Sequence, residues 1–165
     1  MLLEQALQRL ADGLNRSLDY SDDEIVTRGS AFALRHVGPQ IAPLLDPDED
    51  VEWVIAGKVR SSGREFDTGL IVITTGKVLV SGFTAKLFGK NPTITFKFSR
   101  QGAAARAQDA VVLTRPSKLV SIGHGNDHVD FALIPPMDSN TAEVVATLTE
   151  GFINGSVRYG EPGAQ

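Results

Sequence analysis

Two groups of side chains in this 165-residue chain have the types and spacing that chemistry needs. The first is His124, Asp127, His128 and Asp130, an H-x-x-D-H-x-D string with four nitrogen or oxygen donors inside seven residues. Such donors can hold a divalent metal, and a metal-dependent hydrolase would use His124 and His128 in that way. The spacing argues for something plainer. His128 and Asp130 share the outward parity of a strand, while His124 falls in the glycine-flanked turn Gly123 to Asp127. The imidazoles are therefore not the i, i+4 pair of a helical zinc site, and a polar turn on a solvated strand is the favoured reading. The second group is basic: Lys58, Arg60 and Arg64 bracket an expected hairpin, and Lys86 and Lys90 lie in a later loop. Together they are the candidate anion-binding residues, suited to an anionic lipid headgroup or another polyanion. For Lys58, Arg60 and Arg64 a solvated strand face is the favoured reading.

Other chemistries are excluded or unsupported. The chain has no cysteine, which removes disulfides, thiolate nucleophiles and Cys-based zinc sites. No G-x-S-x-G elbow presents a serine, and no carboxylate pair flanks an evident cleft. The acidic run Asp46 to Asp50 lacks the twelve-residue spacing and central glycine of a calcium loop. Gly57, Gly63, Gly69, Gly76 and Gly82 fall in strands and turns, not in a phosphate-cradling loop ahead of a helix. Phe96 and Phe98 alternate with Thr95 and Lys97, so they read as core residues and not as a stacking platform, which argues against nucleic acid. No cofactor is implied.

Charge is unevenly spread. Residues 58 to 118 hold eleven Lys/Arg against three acids, and the flanks hold five against seventeen, although the net charge is only −4. An anionic partner would explain this, as would acidic flanks packing on the basic middle within one chain or between copies. The N-terminus MLLEQALQRL has no basic region before its apolar residues and is not a signal peptide. No run approaches the ~18 apolar residues that span a bilayer. The expectation is a soluble, cytoplasmic protein.

These groups need elements to position them. Leu2, Leu3, Ala6, Leu7, Leu10, Ala11 and Leu14 recur at helical spacing, predicting an amphipathic helix over 2–15. Ser21 to Glu24 is a capping-box pattern that starts a second helix over 22–36, burying Ile25, Phe32, Ala33 and Val37 and stopped by Gly38-Pro39. Pro39, Pro43 and Pro47 mark a linker. From Val51 the period changes to two: Val51, Trp53, Ile55 and Val59 share an apolar face, opposite Glu52, Lys58 and Arg60. The central hairpin pairs strands at 66–75 and 77–83, apolar at both parities, around Thr75-Gly76-Lys77, where Gly76 supplies a positive φ. The next loop, TAKLFGKNP, is unusual in setting Leu87 and Phe88 between Lys86 and Lys90. A strand over 93–98 turns Ile94, Phe96 and Phe98 inward. A polar, alanine-rich connection covers 99–109, followed by short strands at 110–114 and 118–122. Val129, Phe131 and Leu133 alternate in a last strand that Pro135-Pro136 ends. Asn140 and Glu143 start a closing helix over 141–153 with a stripe of Val144, Val145, Leu148 and Phe152, ending near Asn154-Gly155. Seven short strands and an amphipathic helix predict a half-open barrel that the helix plugs.

That order resembles the pleckstrin-homology-like (PH-like) fold, particularly bacterial PH-like domain proteins. The likeness rests on Glu49 to Val54, on GLIVITTGKVLV at 69–80, and on the closing TAEVVATLTEGFI. It covers about residues 48–154 and leaves the N-terminal helices unaccounted for. The aromatic-rich later strand of that family has no counterpart, and the 101–110 connection is atypical for it. The resemblance implies an α+β, mainly β, fold: a half-open barrel of about seven antiparallel strands capped by a C-terminal helix, with two helices ahead. The expected division is a helical segment and linker (1–47), a PH-like barrel (48–154) and a disordered tail (155–165). The implied function is a non-catalytic binding or assembly module for a protein partner or for itself. The alternative is peripheral binding of anionic lipid or another polyanion through Lys58, Arg60, Arg64, Lys86 and Lys90; in PH domains a basic K-x-n-[KR]-x-R pattern, which Lys58-Val59-Arg60 resembles, holds phosphoinositides. A metal-dependent hydrolase ranks below both. The Leu2-Leu7-Leu10-Leu14 stripe needs a cover, either its own barrel or another copy, and a homo-oligomer is the expected solution.

Overall fold

A computed structural model describes residues 1–112, 114–133 and 137–158. Two helices, α1 (Leu3–Leu18) and α2 (Glu24–Ile41), lead through a short 3₁₀ turn at Ala42–Leu44 into seven strands. These are β1 (Val51–Ser61), β2 (Arg64–Thr74), β3 (Lys77–Phe83), β4 (Thr93–Ser99), β5 (Ala104–Val112), β6 (Arg115–His124) and β7 (Asp127–Leu133). Helix α3 (Ser139–Asn154) closes the described chain. All pairings are antiparallel, in the order β4-β3-β2-β1-β7-β6-β5. The outer strands β4 and β5 do not pair, and α3 lies over β5, β6 and β1. This is the expected half-open barrel of seven antiparallel strands with its C-terminal helix.

Strand β1 belongs to both halves of the barrel, pairing with β2 along its length and with β7 at Gly57 to Arg60. The bend it needs is written in glycine. Gly57, Gly69 and Gly82 stand opposite one another on β1, β2 and β3. A Cβ at Gly57 would lie 2.1 Å from the Ala132 carbonyl oxygen, and one at Gly69 2.5 Å from Val59 Cγ2. No other residue allows that approach.

The hairpin run is apolar at both parities because both faces are covered. Ile71, Ile73, Val78 and Val80 enter the barrel core with Trp53, Phe131 and Phe152. Leu70, Val72 and Leu79 enter a second core beneath the N-terminal helices with Leu10, Leu14, Val37 and Ile41. The inner part of the α1 stripe, at Ala6, Leu10 and Leu14, is therefore covered by its own chain, while Leu2 and Leu3 at its start are 70% and 55% exposed. Gly13 fits against Val51 and Val54, where a Cβ would come within 2.8 Å of a Val54 methyl. No helix among the described residues is long and apolar enough to cross a membrane.

Several local expectations are corrected. Gly38-Pro39 does not stop α2, which runs on to Ile41. Gly38 is a contact glycine against Leu7, 3.2 Å from where its Cβ would be, and packing carries the helix past the exposed proline. Ile25 and Phe32 are 56% and 48% exposed, and Val26 and Ser30 are buried in their stead beside Ala33 and Val37. Val51 and Trp53 do not share a face: a register shift between them sends Val51 under α1 and Trp53 into the barrel. The alanine-rich stretch is strand β5, whose small side chains lie under α3, and β6 is longer than expected. Asp138, not Asn140, caps α3, accepting from Thr141 N, and Val144 is 42% exposed. Gly155 ends α3 in the left-handed region at φ 81°. The stop at Pro135-Pro136 and residues 159–165 of the expected tail lie outside the described residues.

Candidate functional site

The metal-type string does not converge. His128 Nε2 lies 3.2 Å from Asp130 Oδ1, and that oxygen also accepts from Ser121 Oγ at 2.7 Å. His124 turns instead to the β4–β5 connection, where its ring abuts Gly102. Among the described residues no three His, Asp or Glu side chains gather to hold a metal.

Nor does the fold bring the five basic candidates together. Lys58 and Arg60 project from β1 toward Glu65 on β2, at 3.3 and 3.5 Å. Arg64 lies over the Phe66 ring, 5.2 Å from its centroid. Arg60, Arg64 and Glu65 border an open cleft of about 290 Å³ with His128 and Asp130. Two carboxylates share it with the arginines, so it is not a stripped cationic pocket. Lys86 and Lys90 lie apart, on the loop between β3 and β4.

That loop is the most unusual surface of the molecule. Leu87 and Phe88 are 93% and 86% exposed, more than any other large apolar residue among those described. The loop is pinned at its base by Thr84 N to the Pro92 carbonyl at 3.1 Å, and tied to β2 by Asp67 N to Thr84 Oγ1 at 3.1 Å. Across its middle, Lys86 N donates to Asn91 Oδ1 at 2.8 Å. Gly89, at φ 81°, supplies the reversal just after the two apolar residues. At its root Phe83 stacks on His36 of α2, with ring centroids 5.4 Å apart.

The opposite end of β3 carries a polar hub that the sequence patterns did not announce. Arg100 reaches inward to Glu52 Oε1 at 2.9 Å and to the carbonyl oxygens of Thr74 and Phe152. It thereby joins β1, β2 and the end of α3. Burial lowers its pKa from the ordinary guanidinium value, and Glu52 opposes that. Beside it Lys77 Nζ pairs with Glu49 at 2.8 Å and Asp46 at 3.1 Å. The turn after β2 is closed by Thr74, whose hydroxyl oxygen accepts from Gly76 N and Lys77 N and donates to Glu49 Oε2 at 2.7 Å. Gly76 itself is not at positive φ, because this threonine does the work assigned to the glycine. The one legible signal was the acidic run itself, read as solvated, from which Glu49 is buried.

A cleft of about 510 Å³ lies between α1 and the start of β1, lined by Arg9, Arg16, Asp12, Asp50 and Glu52 among others. Its arginines act as straps. Arg9 donates to the carbonyls of Glu49 and Pro47, and Arg16 to those of Val51 and Glu52.

No family model matches the chain, and no curated protein matches it in sequence. Solved structures do resemble it. The hSac2 domain from human phosphoinositide phosphatase Sac2 superposes with a TM-score of 0.48 at 12% identity, over 72% of this chain and 78% of that one. A pleckstrin homology domain from Shewanella amazonensis SB2B gives 0.43 at 12% identity, over 70% of this chain and 92% of that one. The fold assignment rests on strand order and the closing helix.

Proposed function

We propose that this chain is a non-catalytic PH-like binding module that meets its partner through the β3–β4 loop. One observation carries the reading: Leu87 and Phe88 are held almost fully in solvent by a hydrogen-bonded loop, and none of the described residues covers them. An adjacent exposed leucine and phenylalanine cost solubility and return nothing to the fold, so a partner is their natural use. The polar groups that could have served catalysis are committed elsewhere: Arg100 to α3, Lys77 to the linker acids, His128 to Asp130. Self-association through α1 has less to bury, since Ala6, Leu10 and Leu14 of that stripe are covered in cis.

Fractionation of native-host extracts tests the reading. Wild-type protein should co-migrate with a larger assembly or a particulate fraction, and the L87S/F88S double variant should run free at its monomer mass of 17.7 kDa. Wild-type protein that also runs free, with nothing lost on substitution, would overturn it.

A further inference from the structure

The β3–β4 loop has the makings of an insertion tip, and we infer that its occupant is an anionic lipid surface, entered by Leu87 and Phe88 with Lys86 and Lys90 left at the headgroups. This rests on the reading above that the loop is the binding element.

Shape comes first. Leu87 and Phe88 are consecutive and form a two-residue knob. A helical or strand partner is met by apolar residues three or four apart, or by alternate ones; a bilayer interface accepts adjacent apolar side chains in any register. The closed base and the cross-loop bond from Lys86 to Asn91 hold the knob outward, so little order remains to be gained on insertion.

Charge comes second. No acidic residue occurs between Asp67 and Asp109, while Lys86, Lys90 and Lys97 are exposed in that interval. Lys86 and Lys90 flank the knob directly, the arrangement in which long cationic side chains stay at the headgroup level while the apolar pair goes below. Arg64 lies three residues before Asp67, whose N–H bonds the loop base, so it stands about 10 Å along β2 from the loop.

The receptor comes third. A second copy of this chain offers poor seating for a leucine and a phenylalanine. Its clefts of about 510, 440 and 290 Å³ are lined mainly by charged and polar groups, and an apolar one holds only about 10 Å³. The attraction is also not that of a headgroup-reading pocket, because Arg60 and Arg64 share their cleft with Glu65 and Asp130. Binding should follow surface charge and indifferently accept any anionic headgroup.

Co-sedimentation of the full chain with phosphatidylcholine vesicles, with and without phosphatidylglycerol, decides the matter. Wild-type protein should bind the mixed vesicles about tenfold or more tightly than the neutral ones, and added salt should erase the difference. L87S/F88S and K86Q/K90Q should each lose about tenfold. As a direct depth reading, a Phe88→Trp variant should show a blue shift of its exposed indole on the mixed vesicles. Wild-type and L87S/F88S proteins binding equally, or neither binding, would overturn the inference. So would displacement by soluble inositol phosphates, which would place the ligand in the Arg60–Arg64 cleft. If vesicles fail while knob-dependent co-migration in extracts persists, the partner is a protein and the module reading stands. If both fail, both readings fall.

Discussion

At its first residue β3 buries an ammonium, and just past its last residue the chain exposes a leucine and a phenylalanine. Both arrangements invert the ordinary placement of side chains, and they are resolved differently. Lys77 is compensated inside the molecule by Glu49 and Asp46, next to an arginine that ties three elements together. Leu87 and Phe88 receive no compensation from the described residues, although the same fold covers apolar residues on both faces of β3. Polar groups at one end thus serve the fold, and apolar groups at the other serve something beyond it. Chemical character alone would have assigned these roles the other way round.

The contrast breaks most visibly at Arg100. Replacement by methionine would leave Glu52 buried with its main partner gone and take the guanidinium donors from the carbonyls of Thr74 and Phe152. Arg100→Met should cost about 3–5 kcal/mol in urea unfolding; a loss under about 1 kcal/mol would show that the hub does not hold α3. Thr74→Val is next. It removes the hydroxyl that closes the turn and donates to Glu49, and should cost about 1–3 kcal/mol.

Lys77 gives the comparison a pH axis. Burial pulls its pKa down, but hydrogen bonds and attraction from Glu49 and Asp46 outweigh that, and the folded-state value is raised above 10.5. The stabilisation is therefore full below the unfolded-state value and disappears as pH climbs through the folded one. Wild-type stability minus that of Lys77→Met should be constant near neutrality and shrink above about pH 10.5. A difference flat across that window would mean the ammonium is not held as described.

The smallest effect belongs to the apolar end. L87S/F88S should change unfolding stability by less than about 0.5 kcal/mol, because neither side chain leaves water on folding. A loss above about 1.5 kcal/mol would mean the loop packs on the body of the protein, and the contrast between the ends of β3 would dissolve.

Much of the architecture could be read from local pattern. The hairpin over 66–83 was legible because β-branched residues at both parities demand two covered faces, and two cores cover them. Trp53 was legible as buried, though not its bond from Nε1 to Thr149 Oγ1 at 2.8 Å, since the two residues lie 96 positions apart. The unusual content of the 84–92 loop was visible in its composition, but its full exposure was not, because an apolar pair in a loop packs down as often as it stands out.

By itself the sequence determined most of the element types, the helix-capped barrel and the absence of thiol chemistry, since period, β-branching and composition act on near neighbours. Tertiary structure alone decided the rest. Alanine-rich 104–112 became a strand because β6 and α3 were there to receive it. Helix α2 passed Pro39 because its packing outweighed one lost hydrogen bond. Glu49, Glu52, Lys77 and Arg100, solvated by any local rule, went inside because the fold brought opposite charges together across 28 to 48 positions. Pairing between distant charges is a property of the closed chain, and no window of neighbouring residues contains it.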